Sequence, residues 1–313
     1  MRPVARAGRW AWGLCGLVTA AALAVPGTRL IVLAGVPPAP AEFGSLPQGQ
    51  SQLTQTRTLT VPQPVTRLNV QSYSPGALIQ VTAAPVSHVQ VIEMIAYYGR
   101  PPAVELSVSG GRPSLADPAC ADNSCSVSFA VKVPPTVTVT ATGGQLSISG
   151  ISGATLDSDG APVSATNIRG PLTVSTLGGL LQINGLTGPL HAETGGGQVI
   201  ATGITAATAV VTTGCGPAQI TFSAAPESVT VGTGDGSVCG GSADLTVPGG
   251  PYALTANSDG APQIIGITTS SAARRSITVT TGGGHLVISS GKSRHLRAIA
   301  SPDRYGPAYP GAP

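Results

Sequence analysis

From Thr136 to Gly291 apolar and polar residues alternate in short runs that restart at a glycine about every twenty positions. The marker glycines are Gly144, Gly160, Gly179, Gly197, Gly216, Gly236, Gly260 and Gly284, spaced 16 to 24 residues apart with a mean of 20. Seven positions before them stand Val137, Gly153, Leu172, Leu190, Ala209, Val229, Ala253 and Ile277; five before stand Val139, Thr155, Val174, Ala192, Val211, Val231, Thr255 and Val279. Beyond the glycine, Leu146, Leu181, Val199, Ala218, Val238 and Leu286 form a third column, and Ile148, Ile183, Ala201, Ile220, Ile264 and Ile288 a fourth. Residues two apart on a strand share a face, so each copy reads as two short strands. The glycine turn joins them, and a second turn near Gly150, Gly185, Gly203 and Gly266 leads to the next copy.

One such copy cannot bury its own apolar face. Stacking the copies turns each column into a continuous aliphatic ladder and lets the backbone pair from coil to coil. The pattern therefore predicts an all-β protein, a β-solenoid of roughly 20-residue coils. Two kinds of copy fit less well. The 16-residue copy places Pro162 and Ser164 in inward columns, and the 24-residue copies are expected to carry small loops. Composition agrees with the all-β reading, since 42 glycines and 28 prolines accompany 42% hydrophobic residues and only 9% charged ones. Disordered chains lack that hydrophobic share.

Outside the repeats, Arg2, Arg6 and Arg9 precede an apolar stretch that is interrupted at Pro26 and Arg29 and resumes to Val36. Residues 1–9 read as a cytoplasmic basic segment and 10–36 as a transmembrane helix, which places the C-terminal part outside the cell membrane. Signal cleavage and secretion is the alternative, at Ala22-Leu23-Ala24 or Ala39-Pro40-Ala41. Cys15, within this stretch, lacks a lipobox before it and reads as incidental. Residues 37–57 form a Pro/Gln/Ser-rich tether, 58–142 an irregular β lead-in and 143–291 the regular solenoid. Residues 292–313 read as a disordered basic tail.

The net charge of +3 does not point to nucleic acid, because it divides as +4 over residues 1–41, −4 over 42–291 and +3 over 292–313. No basic surface tracks phosphates in the folded part. Five cysteines in an exported chain suggest two disulfides. Cys120 and Cys125 would pin a polar loop, and Cys215 with Cys239 would link neighbouring coils if the chain bends back within reach. No catalytic residue, cofactor site or metal site is expected. His88, His191, His285 and His295 are scattered, with His191 and His285 on strand faces beside turns. Asp157-Ser158-Asp159-Gly160 has its glycine misplaced for a calcium loop. Asp159, Asp235 and Asp259 each precede a marker glycine. In consecutive, in-register coils Asp235 and Asp259 would lie about 5 Å apart and could hold a cation, whereas the competing reading is turn chemistry.

Several stretches carry a family resemblance: Leu68-Asn69-Val70, Gly76 to Val81, Val133-Pro134, and Gly143-Gly144-Gln145-Leu146-Ser147-Ile148-Ser149-Gly150-Ile151. With Thr194-Gly195-Gly196-Gly197-Gln198-Val199 and Thr281-Gly282-Gly283-Gly284-His285-Leu286, they resemble the putative-adhesin family of bacterial envelope proteins with β-strand repeats. The resemblance spans about residues 60–291 and implies a surface β-solenoid without catalytic residues. The Ala, Gly and Pro bias suggests an actinobacterial source. The expected function is a non-enzymatic envelope ectodomain with a structural or adhesive role. Its expected partners are the membrane and a cell-wall polymer, glycan or surface protein. The alternatives are a carbohydrate-active β-helix enzyme, which needs carboxylates on adjacent coils of one face, and an envelope-stress sensor, which has only residues 1–9 to signal with.

Overall fold

The computed structural model describes residues 52–74, 76–117, 125–234 and 239–291. The helix expected over 10–36, the tail 292–313 and Cys15 lie outside them. Among the described residues the regular elements are all strands, and no helix is long and apolar enough to cross a membrane. The regular coils contribute one strand to each of two sheets. In sequence these pairs are β8 (Thr138–Gly143) with β9 (Gln145–Ser149), β10 (Gly153–Ser158) with β11 (Val163–Ile168), and β12 (Leu172–Thr176) with β13 (Leu181–Leu186). Next come β14 (Leu190–Thr194) with β15 (Val199–Ile204), β16 (Thr208–Thr213) with β17 (Ala218–Phe222), and β18 (Ser228–Thr233) with β19 (Ala243–Val247). The final pairs are β20 (Ala253–Asn257) with β21 (Gln263–Gly266) and β22 (Ser276–Thr281) with β23 (Leu286–Ser290).

These strands pair in parallel with equivalent strands of neighbouring coils, so like residues meet. In one sheet Val139, Ala154, Leu172, Leu190, Ala209, Val229 and Ile277 are successive register partners. In the other the ladder runs Leu146, Val163, Leu181, Val199, Ala218, Ala243, Leu286. All are buried, and each larger member contributes roughly 1.5–3 kcal/mol. The short coil therefore turns Val163 and Ala165 inward, not Pro162 and Ser164, because its strand starts one residue later than glycine alignment implies. Ala243 takes the place expected for Val238. Ile265, not Ile264, pairs with Ile288.

Two further columns explain the turn chemistry. A methyl group on Gly197 would overlap the Gly179 carbonyl oxygen, one on Gly216 that of Gly197, and one on Gly284 that of Gly241. These glycines are required by the close approach of stacked turns. Left-handed backbone is needed at the second turn instead, where Gly150, Asn167, Gly185 and Gly203 all have positive φ. Asparagine tolerates that region best among residues with a side chain. Just before the glycine turn lies a buried hydroxyl column: Ser158, Thr176, Thr194, Thr213, Thr233 and Thr281. Thr194 donates to the Gly197 carbonyl at 2.8 Å, Thr281 to that of Gly284 at 2.6 Å and Ser158 to that of Ala161 at 2.7 Å. Each of these three hydroxyls satisfies a turn carbonyl, a contribution of about 1 kcal/mol, whereas Thr176 Oγ1 accepts from Gly179 N at 3.2 Å.

At both ends the coils do not stack in sequence order. The β22–β23 coil inserts between β18–β19 and β20–β21, which leaves the β20–β21 coil outermost. The 24-residue intervals thus conceal a change of stacking order. It follows that the coils carrying Asp235 and Asp259 are not neighbours, so the condition for a carboxylate pair, consecutive coils in register, is not met; Asp235 itself lies outside the described residues.

The opposite end repeats the device. There β2 (Arg67–Ser72) and β3 (Leu78–Ala83) adjoin β8 and β9 directly, while β6 (Arg112–Asp117) and β7 (Cys125–Val133) lie outboard of them. The sheets then finish with antiparallel strands: β4 (Val89–Tyr97) and β1 (Leu53–Val61) in one, β5 (Glu105–Ser109) in the other. Strand β1 begins inside the stretch read as tether. Buried Asp117 joins the displaced layers by accepting from Ser72 Oγ at 2.8 Å, Tyr73 N at 2.6 Å and Ser74 Oγ at 2.5 Å. At the other end Tyr252 is fully buried and donates to the Pro248 carbonyl at 2.9 Å.

One group in the N-terminal cap is poorly satisfied. Glu93 faces inward beside Val91 and Ile95, is 1% exposed, and has no hydrogen-bond partner for Oε1. Burial raises its pKa above the ordinary 4.5, and the charge of cross-strand Arg57 partly opposes this. An acid with a raised folded pKa stabilises the fold fully below its unfolded pKa and loses that contribution as pH rises through the folded value. Glu93→Gln is therefore expected to raise Tm at neutral pH, with the gain vanishing below about pH 4.5; a Tm difference independent of pH would contradict this. Val229→Asp puts a charge between Ala209 and Ile277 and should cost several kcal/mol, on the order of unfolding the chain. An unchanged melting curve would rule out the ladder. The stacking order predicts slower amide exchange in β22 than in β20, and hydrogen-exchange mass spectrometry giving the reverse ranking would contradict it.

Candidate functional site

The strand alternation that fills the core also orders the outer faces. On the 12-stranded sheet, Ser164, Gln182, Ile200, Gln219 and Asp244 occupy one outward row across β11, β13, β15, β17 and β19. Beside it run Thr166, Asn184 and Thr202 and, past a register irregularity after Ala201, Thr221 and Thr246. Adjacent rungs are about 4.8 Å apart. The rows line two shallow depressions of about 310 and 240 Å³, which share Ile200 and Thr202. Among the described residues, the side chains of Gln182, Asn184, Gln219 and Asp244 make no hydrogen bond. Asp244 is the single charged group in either depression.

The opposite face carries Thr140, Thr155, Thr173, His191, Val210 and Thr230 in one outward row. A second row holds Asp157, Ser175 and Glu193 in successive coils. His191 Nε2 lies 3.2 Å from Glu193 Oε1, with both side chains about half exposed. Such an exposed pair contributes little to stability. Ser175 separates Asp157 from Glu193, so these carboxylates do not fall on adjacent coils. Among the described residues, no cluster of three His, Cys, Asp or Glu side chains could hold a metal ion.

Other candidates take structural places. Cys215 and Cys239 are bonded, with Cα atoms 5.4 Å apart. The wide connection of residues 234–242, against 195–198 two coils earlier, brings Cys239 over the turn of the preceding coil. Cys125 is disulfide-bonded, while Cys120 lies outside the described residues. Ser158 of the Asp157-Ser158-Asp159-Gly160 stretch points inward to its turn. Asp259 has a φ of 42° and exchanges hydrogen bonds with Asn257, which is turn chemistry. His285 and His88 are exposed, and His295 lies outside the described residues. Gln182, Asn184 and Gln219 went unmarked in the sequence because no motif contains them. Their signal is their recurrence one residue after an inward column.

The chain matches no protein-family model and no curated protein. Among solved structures it is similar to a putative adhesin from Parabacteroides merdae ATCC 43184, with 11% identity over 75% of this chain and 95% of that one and a TM-score of 0.46. A putative adhesin from Bacteroides fragilis NCTC 9343 shares 14% identity over 77% and 98% of the two chains, with a TM-score of 0.39. A putative cell adhesion protein from Clostridium sporogenes ATCC 15579 shares 11% over 77% and 100%, with a TM-score of 0.26.

Proposed function

We propose that this chain is a non-enzymatic binding ectodomain of the bacterial envelope, held at the membrane by residues 10–36 and displayed outside it. The observation that carries the reading is the polar face built across β11 to β19, with Asp244 its single charged group and with amide side chains that make no hydrogen bond within the protein. Such a surface suits an extended surface polymer: a glycan, a wall polymer or a surface protein. Acid–base hydrolysis calls for two carboxylates flanking one bond, and Asp244 is the single carboxylate lining this face's depressions.

The test uses the full chain reconstituted in lipid vesicles and a panel of purified neutral polysaccharides, anionic phosphodiester wall polymer, peptidoglycan and defined surface proteins. Retention of at least one member without release of new reducing ends is expected. Release of reducing ends would replace the proposal with the enzyme reading, and failure of the outward-facing chain to retain any member would remove the binding role.

A further inference from the structure

We propose that the groove centred on Ile200 is a saccharide subsite for a neutral, extended glycan lying across the strands; this assignment rests on the binding reading above. The strands that form the groove lie inside a 12-stranded sheet, with their backbone groups engaged on both sides. A peptide therefore cannot join by main-chain strand addition. Recognition falls to side chains, and these have a particular composition. Gln182, Gln219 and Asn184 each offer donors and an acceptor, as vicinal sugar hydroxyls do. Ile200 supplies an aliphatic platform between the two glutamines, suited to the C–H face of a pyranose ring. Thr202 adds a hydroxyl shared by both depressions.

Charge narrows the ligand further. Asp244 is the one ionised side chain lining the groove, and no cation accompanies it. A phosphodiester or uronate polymer would meet repulsion there without compensation, whereas a neutral sugar can donate a hydroxyl to the carboxylate. The rungs repeat at about 4.8 Å, close to the advance per sugar of an extended hexose chain. Gln182 and Gln219, one rung to either side of Ile200, can therefore meet different sugars of a glycan that crosses the sheet.

The experiment titrates the full-length chain, carrying isotope-labelled isoleucine methyls, with cellohexaose, maltohexaose and the hexamer of N-acetylglucosamine. At least one is expected to shift the Ile200 methyl resonance while that of buried Ile79 stays in place. Joint replacement Gln182→Ala and Gln219→Ala should weaken binding about tenfold or more, with Tm unchanged because both side chains are exposed. The control pair Thr155→Ala and Thr230→Ala, on the opposite face, should leave affinity unchanged. Perturbation elsewhere but not at Ile200, or equal affinity in the glutamine variant, overturns the site. If none of the hexasaccharides binds while anionic wall polymer or a surface protein is retained, the saccharide assignment is lost and the binding reading stands. If nothing in the wider panel is retained either, both are lost.

Discussion

Each coil of this protein depends on its neighbours for hydrogen-bond partners. A strand in a parallel stack leaves its backbone groups for the coils on either side, and this forces successive coils into register. Register makes like meet like, and the aliphatic ladders, glycine turns and buried hydroxyls all follow. Leu172 rests on Leu190, Leu190 on Ala209 and Ala209 on Val229. Gly179, Gly197 and Gly216 leave room for the carbonyl of the coil beneath. Thr194 and Thr281 satisfy turn carbonyls that stacking has removed from water.

The same dependence makes the two ends difficult, because a terminal coil lacks one neighbour. The chain resolves this in the same way twice. At one end β2–β3 is followed by the outer β6–β7 layer before the chain returns to β8–β9, and at the other the chain places β20–β21 outermost before β22–β23 fills the slot beneath it, so β2 meets β8 and β18 meets β22. The outermost material departs from the parallel stack: antiparallel β1, β4 and β5 at one end, and the short β20 and β21 at the other. Short or irregular edges offer poor templates for pairing with another chain. The strongly aliphatic set Ile277, Val279, Leu286 and Ile288 is thereby kept fully buried, whereas Ile265 in the outermost coil is 43% exposed. Cap irregularity has a cost, visible in Glu93, whose Oε1 is enclosed without a partner.

Function follows from the outward half of the alternation. Register constrains that half only indirectly, yet it still places each outward residue above its counterpart. Residues scattered in sequence become a row on the surface, as the amides Gln182 and Gln219 do on either side of Ile200. A repeated side chain is thus a repeated binding group, set at the spacing of the strands.

The sequence by itself determined the all-β class, the twenty-residue coil and most inward positions, because period-2 alternation and the glycine column are local consequences of strand and turn geometry. Asn167 shows the limit of reading glycines alone: it occupies the left-handed slot that glycine fills in coils above and below. Only the tertiary structure decided which coils are neighbours. Val229 can pack against an apolar residue from either later coil, so the columns are equally satisfied by either order, and local pattern cannot choose between Ala253 and Ile277. The choice depends on which coil can tolerate the outermost place. Whether Asp235 and Asp259 could stand in adjacent coils depended on that choice, whereas the bond of Cys215 to Cys239 joins coils that are neighbours in sequence order. The outer groove was decided by register instead: β11, β13, β15, β17 and β19 stack in sequence order, and their side chains form one surface only once that register is fixed.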